Sequence, residues 1–186
     1  SSTGQAPVEH IPATYHFHLR GLDNGTKITD VANIELSVSK YPARPTQIWS
    51  GELNFDQSIT VPDNVTIVAG TTISIAKDVH LIFTGRLDIQ GTKANTVKIY
   101  PAKATQPWGT LTLRGEGANG SSLNFFEMSG GSLTNDGLSV TSGMLSLHQV
   151  EDVDISNCYL FGNYLGDDMI HAAYSKLRVS HCKFDL

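Results

Sequence analysis

The sequence predicts an all-β protein: a parallel β-helix of about five coils, preceded by a small N-terminal β unit. Seventeen glycines and a scarcity of long Ala/Leu/Glu/Lys stretches favour strands joined by many turns. One pattern returns three times, as LNFFEM (123–128), ISNCYL (155–160) and VSHCKF (179–184). The last two copies are separated by about 24 residues, a period typical of stacked coils.

The first 47 residues are predicted to form a separate unit. Residues 1–12 have no periodicity, whereas YHFHL from Tyr15 and IELSV at 34–38 alternate as strands do, with a turn signal, DNGT, between them. This pattern predicts a few antiparallel strands. YPARPTQ (41–47) contains two prolines without apolar alternation, so it is predicted to be a linker into a second unit that spans 48–186.

The second unit is predicted to consist of short strands. Each strand contains a triplet with an apolar residue, any residue and a second apolar residue. Grouping the triplets in threes gives coils of about 20 to 26 residues, as between Ile59 and Leu81 or between Val153 and Leu177. Each strand should pair in parallel with its equivalent one coil later. The triplets begin at residues 53, 59, 65, 73, 81, 87, 97, 111, 123, 138, 145, 153 and 177.

An antiparallel sandwich is the alternative fold, since short strands with Gly-rich turns suit that class as well. A sandwich gives no reason for Cys158 and Cys182, or for Ile155 and Val179, to lie at equal offsets. The constant coil length therefore favours the β-helix.

Three local motifs resemble the repeats of the pectin-lyase-like superfold. They are GRLDIQGT at 85–92, the Trp108-Gly109 entry to a strand, and the ISNC corner at 155–158. The resemblance extends over about residues 49–186. The resemblance implies a right-handed parallel β-helix, as in segments of bacterial extracellular and surface proteins. The superfold serves lyases, hydrolases, adhesins and inert stalks, so the resemblance does not imply one activity.

Composition excludes two classes of partner. The net charge is −5, and no Lys/Arg cluster is interleaved with aromatic residues, so nucleic-acid binding is not expected. No apolar run approaches the roughly 18 to 20 residues needed to span a bilayer, so no membrane span is expected. The chain begins at Ser1 without Met, which suggests either a processed terminus or a cloning boundary.

Two cysteines, Cys158 and Cys182, occupy the same place in successive copies of the repeat and should lie one above the other. Strand spacing of about 4.8 Å brings such residues within disulfide range, but parallel side chains rarely offer the required dihedral angle. Two buried thiols are therefore favoured over a disulfide.

The densest polar segment is GDDMIHAAYSK (166–176), predicted to lie between two coils. It suggests a catalytic site of Asp167, Asp168, His171 and Lys176, with Asp167 and Asp168 as Ca²⁺ ligands in a polysaccharide lyase or glycoside hydrolase. The simpler interpretation is a solvated turn, and no cofactor is then required.

Aromatic residues that could stack on sugar rings are Trp108, Tyr159 and Tyr164. Trp108 follows a Pro-rich loop, where a β-helix usually places binding residues, although packing at a corner explains it as well. These residues predict polysaccharide as a partner.

The leading functional hypothesis is an extracellular or cell-surface module that binds polysaccharide or acts as a scaffold. A polysaccharide lyase or hydrolase with a site at 167–176 and a structural stalk or adhesin segment are the alternatives. The last repeat, VSHCKF, ends close to the last residue, so we expect either continuation in a longer helix or an end-to-end homodimer.

Overall fold

A computed structural model describes residues 22–23, 26–27, 44–132, 134–135, 140–141, 143–163 and 168–185. The chain divides into two compact units, Ser1–Ala43 and Arg44–Leu186. In the first unit the described residues form one antiparallel pair, and the predicted strands at 15–19 and 34–38 lie outside the described residues.

Every described element of the second unit is a strand, apart from one 3₁₀ turn at Glu116–Ala118. No helix among the described residues has the length and apolar character needed to cross a membrane. The strands in chain order are β1 (Leu22–Asp23), β2 (Thr26–Lys27), β3 (Thr46–Trp49), β4 (Glu52–Phe55), β5 (Ile59–Val61), β6 (Asn64–Val68), β7 (Thr72–Ile75), β8 (Leu81–Phe83), β9 (Leu87–Gln90), β10 (Val97–Pro101), β11 (Leu111–Arg114), β12 (Ser122–Ser129), β13 (Thr134–Asn135), β14 (Val140–Thr141), β15 (Gly143–His148), β16 (Val153–Phe161), β17 (Asp168–Ala173), β18 (Leu177–Ser180) and β19 (Lys183–Asp185).

The described strands of the second unit form three parallel stacks, apart from β13 and β14, which form a separate antiparallel pair. The first stack contains β3, β6, β9, the first halves of β12 and β16, and β18. The second contains β4, β7, β10, the second halves of β12 and β16, and β19. The third contains β5, β8, β11, β15 and β17. The predicted all-β chain with parallel strands is confirmed.

The three copies of the repeat lie directly above one another. Leu123 pairs with Ile155, and Ile155 pairs with Val179, which are the first residues of the three copies. The third residue of each copy has a positive φ, a conformation that turns the strand between the first and second stacks. These corner residues are Phe125 (φ 50°), Asn157 (φ 51°) and His181 (φ 54°).

The prediction of a constant coil length is wrong. Val65 pairs with Leu87, whereas Ile89 pairs with Leu123, so the second pair spans a clearly longer stretch of sequence than the first. The longer turn carries extra residues in loops between strands, including the 3₁₀ turn before β12. Strand pairing tolerates such insertions, since each additional loop residue costs little closure entropy.

The apolar core lies between the three stacks, where the inward residues of every strand meet. The largest fully buried side chains include Phe83, Phe126 and Trp108. At the start of the first stack, the ring of Trp49 lies 5.2 Å from that of Phe55 and 5.6 Å from that of Phe83. Trp49 therefore covers the end of the core, because its ring rests on the aromatic side chains beneath it.

Cys158 and Cys182 form a disulfide, so the prediction of two thiols is wrong. Their Cα atoms lie 4.4 Å apart, because the two residues follow the same corner in adjacent rungs of the second stack. The bond joins the last two turns of the chain across a sequence separation of 24.

Candidate functional site

The segment predicted to be a catalytic loop is largely a strand. Asp168 and His171 belong to β17, the last strand of the third stack, and not to a connection between coils. Asp168 Oδ2 lies 3.1 Å from His171 Nδ1, so these two predicted residues are brought together. Asp167 lies outside the described residues.

Lys176 is held by a different partner. Its Nζ lies 3.1 Å from Glu151 Oε1 in an exposed ion pair, and the corner residue Tyr174 separates it from β17. Lys176 also lines a shallow depression of about 340 Å³ at the last two turns, which is bounded by Asp152, Val153, Asp154, Lys176, Leu177 and Arg178. Two acidic and two basic side chains line the depression, so it does not select an anion or a cation by net charge.

The pKa of His148 is shifted by its surroundings near this pair. His148 lies opposite Arg114 in the parallel register. Its ring centroid is 5.5 Å from that of His171, whose Nδ1 contacts the Asp168 carboxylate. Burial of His148, followed by the positive charges of His171 and Arg114, lowers its pKa below the ordinary value of 6.5. Its Nε2 is buried and makes no hydrogen bond within the described part of the chain.

The lowered pKa of His148 predicts acid sensitivity. The unfolded chain takes up the proton at the ordinary pKa and the folded chain only at lower pH, so this contribution to stability is complete above about pH 6.5 and decreases below it. Urea unfolding at several pH values should give a free energy of unfolding that falls more steeply with acid than in His148→Gln. Equal slopes for His148→Gln and wild type would contradict the assignment.

The residues that the structure describes do not form a cation site. Within the described ranges, no group of three or more His, Cys, Asp and Glu side chains lies close enough to hold a metal ion. Because Asp167 is outside those ranges, calcium binding by Asp167 and Asp168 stays a prediction.

Trp108 packs inside the protein. Its side chain is fully buried, and its Nε1 donates a hydrogen bond of 2.8 Å to the carbonyl oxygen of Ser129. The ring thus offers no face to a sugar, contrary to the expectation from the Pro-rich loop. Tyr164, the third predicted aromatic residue, lies outside the described residues.

Of the two predicted sugar-binding residues that the structure describes, Tyr159 reaches the surface. Its ring stacks on that of Phe161 with centroids 4.5 Å apart, and the ammonium of Lys183 lies 4.6 Å from the ring centre. The Tyr159 hydroxyl donates to Asp185 Oδ2 at 2.7 Å, which raises the pKa of Tyr159. The same carboxylate accepts from Lys183 Nζ, and these two donors lower the pKa of Asp185.

Tyr159 belongs to a wider aromatic surface on the second stack. Tyr100, Ser129 and Phe161 form one outward column, because Tyr100 is level with Ser129, which pairs with Phe161. Tyr100 is 40% exposed, and its neighbour Ile99 points into the core. We call Tyr100, Tyr159 and Phe161 the aromatic face.

Sequence reasoning missed Tyr100 and Phe161. Tyr100 follows the triplet at 97–99 by one residue, and Phe161 follows the repeat copy ISNCYL by one residue, so the alternation that places Ile99 and Leu160 inside the protein also places the next residue outside. Extending the alternation by one position past the triplet and past the repeat identifies both residues.

Comparison with protein-family models, with curated proteins and with solved structures found no match for this chain.

Proposed function

We propose that the second unit is a right-handed parallel β-helix that binds polysaccharide on its aromatic face, without a catalytic role. The fold proposal is supported by the order of the stacks, since the chain visits the first, second and third stack in turn and every pairing within the stacks is parallel. Connections between parallel strands of one sheet are right-handed in about 98% of cases, which favours the right-handed form.

The observation that carries the function is the spacing of two outward aromatic residues along one column, the exposed Tyr100 and the partly buried Phe161. Tyr100 and Phe161 are separated by one rung, that of Ser129, so a rung spacing of about 4.8 Å puts them about 10 Å apart. Sugar rings present C–H faces that pack on aromatic rings, and two platforms at this distance suit alternate sugars of one extended polymer.

Polar groups beside the rings supply hydrogen bonds for sugar hydroxyls. Glu127 pairs in register with Tyr159, so its carboxylate lies next to the aromatic face, and Ser129 lies between Tyr100 and Phe161. A few directional polar groups among aromatic surfaces are the usual composition of a binding site for a neutral, hydroxyl-rich ligand.

An extracellular or cell-surface location belongs to the same proposal. The disulfide between Cys158 and Cys182 supports it, because such bonds persist in oxidising compartments and are rare in the cytosol.

Removal of one aromatic platform tests this function. Tyr100→Ala should weaken binding to a soluble polysaccharide about tenfold, as expected for loss of one stacking partner worth about 1.4 kcal/mol. Affinity electrophoresis against a panel of neutral and acidic polysaccharides identifies the polymer and measures the change. Tyr174→Ala is the matched control, since Tyr174 is 92% exposed but follows the third stack.

Three outcomes would contradict the proposal. Absence of retardation by every polymer would favour a structural stalk. Equal loss in the Tyr100 and Tyr174 variants would indicate unspecific binding. Shortening of a bound polymer on incubation, abolished by Asp168→Asn, would instead support the hydrolase or lyase.

A further inference from the structure

The outward column that contains Tyr100 alternates small and aromatic side chains from rung to rung. Ser74 pairs in register with Tyr100. Tyr100 is level with Ser129 in the next rung, and Ser129 pairs with Phe161 in the rung after that. The aromatic side chains of this column therefore recur at every second rung, with one serine between them.

The backbone sets the distance between the two aromatic positions. Parallel strands lie about 4.8 Å apart, so two rungs separate Tyr100 from Phe161 by about 10 Å. The strand between them is anchored, because the Ser129 carbonyl oxygen accepts the indole N–H of the fully buried Trp108 at 2.8 Å. In the next rung, the ring of Tyr159 stacks on that of Phe161 with centroids 4.5 Å apart, so this aromatic position is two rings wide.

From this spacing we infer that the polymer bound by the aromatic face is a neutral chain of β-1,4-linked sugars, which lies along the column with alternate sugars on the two aromatic positions. The inference rests on the proposed function and names the class of its ligand.

The stereochemistry of this linkage matches the column. When both bonds of a linkage are equatorial, each sugar is turned by about half a rotation from the one before it, and the polymer is an extended ribbon. Alternate sugars then present the same face, at a repeat close to the two-rung distance between Tyr100 and Phe161. A polymer of α-1,4-linked sugars coils instead, so its alternate sugars do not face the same side.

The rung between the two aromatic positions suits the intervening sugar. That sugar turns its other face toward the protein, and the small side chain of Ser129 lies beneath it. The Ser129 hydroxyl can donate a hydrogen bond to a sugar hydroxyl or accept one from it. Glu127, two residues earlier on the same strand, offers carboxylate oxygens at the side, and its Oε1 is oriented by the Thr96 hydroxyl at 3.3 Å.

The charges on this face favour a neutral polymer. Lys98 is opposite Glu127 in the parallel register, and Lys183 forms an ion pair with Asp185. These cations and anions are equal in number, so the face has no net charge to attract a polyanion.

Polymers that differ in linkage test the inference. Affinity electrophoresis compares soluble β-1,4-linked glucan, mannan and xylan with α-1,4-, α-1,6- and β-1,3-linked glucans. We expect retardation by a β-1,4-linked polymer and by none of the other linkages.

Oligosaccharides of the retarded polymer, from two to six sugars long, test the spacing by calorimetric titration. Affinity should rise about tenfold between two and three sugars, because three sugars are the fewest that reach both aromatic positions. Tyr100→Ala should abolish this rise, whereas Tyr174→Ala should keep it.

A variant that moves one aromatic residue by a rung separates spacing from aromatic content. Tyr100→Ala combined with Ser129→Tyr keeps the number of aromatic residues but brings the two positions to about 4.8 Å. It should bind no better than Tyr100→Ala alone. Thermal melting of each variant shows whether it is folded.

Retardation by an α-linked or β-1,3-linked polymer that is lost in Tyr100→Ala would overturn the inference and leave the proposed function intact. A rise in affinity that is complete at two sugars, or binding restored in the double variant, would have the same meaning. Absence of retardation by every polymer, or retardation that persists in Tyr100→Ala, would overturn both.

Discussion

Reduction of the Cys158–Cys182 disulfide should lower the free energy of unfolding by about 3 kcal/mol. The bond closes a segment with a sequence separation of 24, and a cross-link of that span removes loop entropy from the unfolded chain. It also joins the last rung of the second stack to the rung before it. Urea unfolding with and without dithiothreitol gives the free energy of unfolding of the oxidised and the reduced chain, and the difference between them tests the prediction.

A variant without either cysteine provides the control for this experiment. Cys158→Ala with Cys182→Ala should unfold at a midpoint near that of the reduced chain, and dithiothreitol should then have no effect. Detection of two reactive thiols in the untreated chain, with an unchanged midpoint on reduction, would contradict the disulfide.

Replacement of Trp108 by alanine should destabilise the protein by about 4 kcal/mol. The side chain is fully buried, so truncation leaves a cavity in the core, which typically costs about 3 to 5 kcal/mol for Trp→Ala. Truncation also leaves the Ser129 carbonyl without the indole donor. Denaturant unfolding of the variant and the wild type gives the difference.

Trp108→Phe distinguishes the two contributions. It keeps an aromatic ring in the core and loses the hydrogen bond, so it should cost clearly less than the alanine variant. An alanine variant within about 1 kcal/mol of the wild type would match a surface residue and would contradict the buried placement.

Most strands were predictable because apolar and polar residues alternate regularly in strands that have a neighbouring strand on each side. The triplet at 81–83 coincides with β8, which pairs with β5 on one side and with β11 on the other, and Leu81 lies opposite Ile59 in the predicted register. Inward positions of a stacked strand tolerate only apolar residues, so the pattern is strong there.

The strands missed from sequence lie where that constraint is weaker. β17 contains His171, Ala172 and Ala173, which are only partly buried or exposed, because it is the last described rung of its stack. β3 begins within the segment predicted to be a linker, for the same reason at the opposite end. A strand with a neighbour on just one side requires fewer apolar residues. Its alternation of apolar and polar residues is therefore less distinct.

The candidate site was predictable in part. The repeat places Cys158 and Cys182 in neighbouring rungs, but whether they bond depends on how the corner backbone orients each Cβ atom, which sequence spacing does not contain. The contact between Asp168 and His171 follows from their closeness in sequence. The ion pair of Lys176 with Glu151 joins the rungs of Val153 and Leu177, which the 24-residue period aligns, but the period alone does not predict that the two side chains meet.

The pairing pattern also determines how the chain can acquire its structure. Strands such as β5 and β8, or β16 and β18, pair across a single turn of the chain, so neither partner waits for a distant part of the sequence. Because each turn contacts only its neighbours, the sequence separation of paired strands does not grow with the number of turns. A nascent chain can therefore add one turn at a time to those already formed, in the order in which they are synthesised.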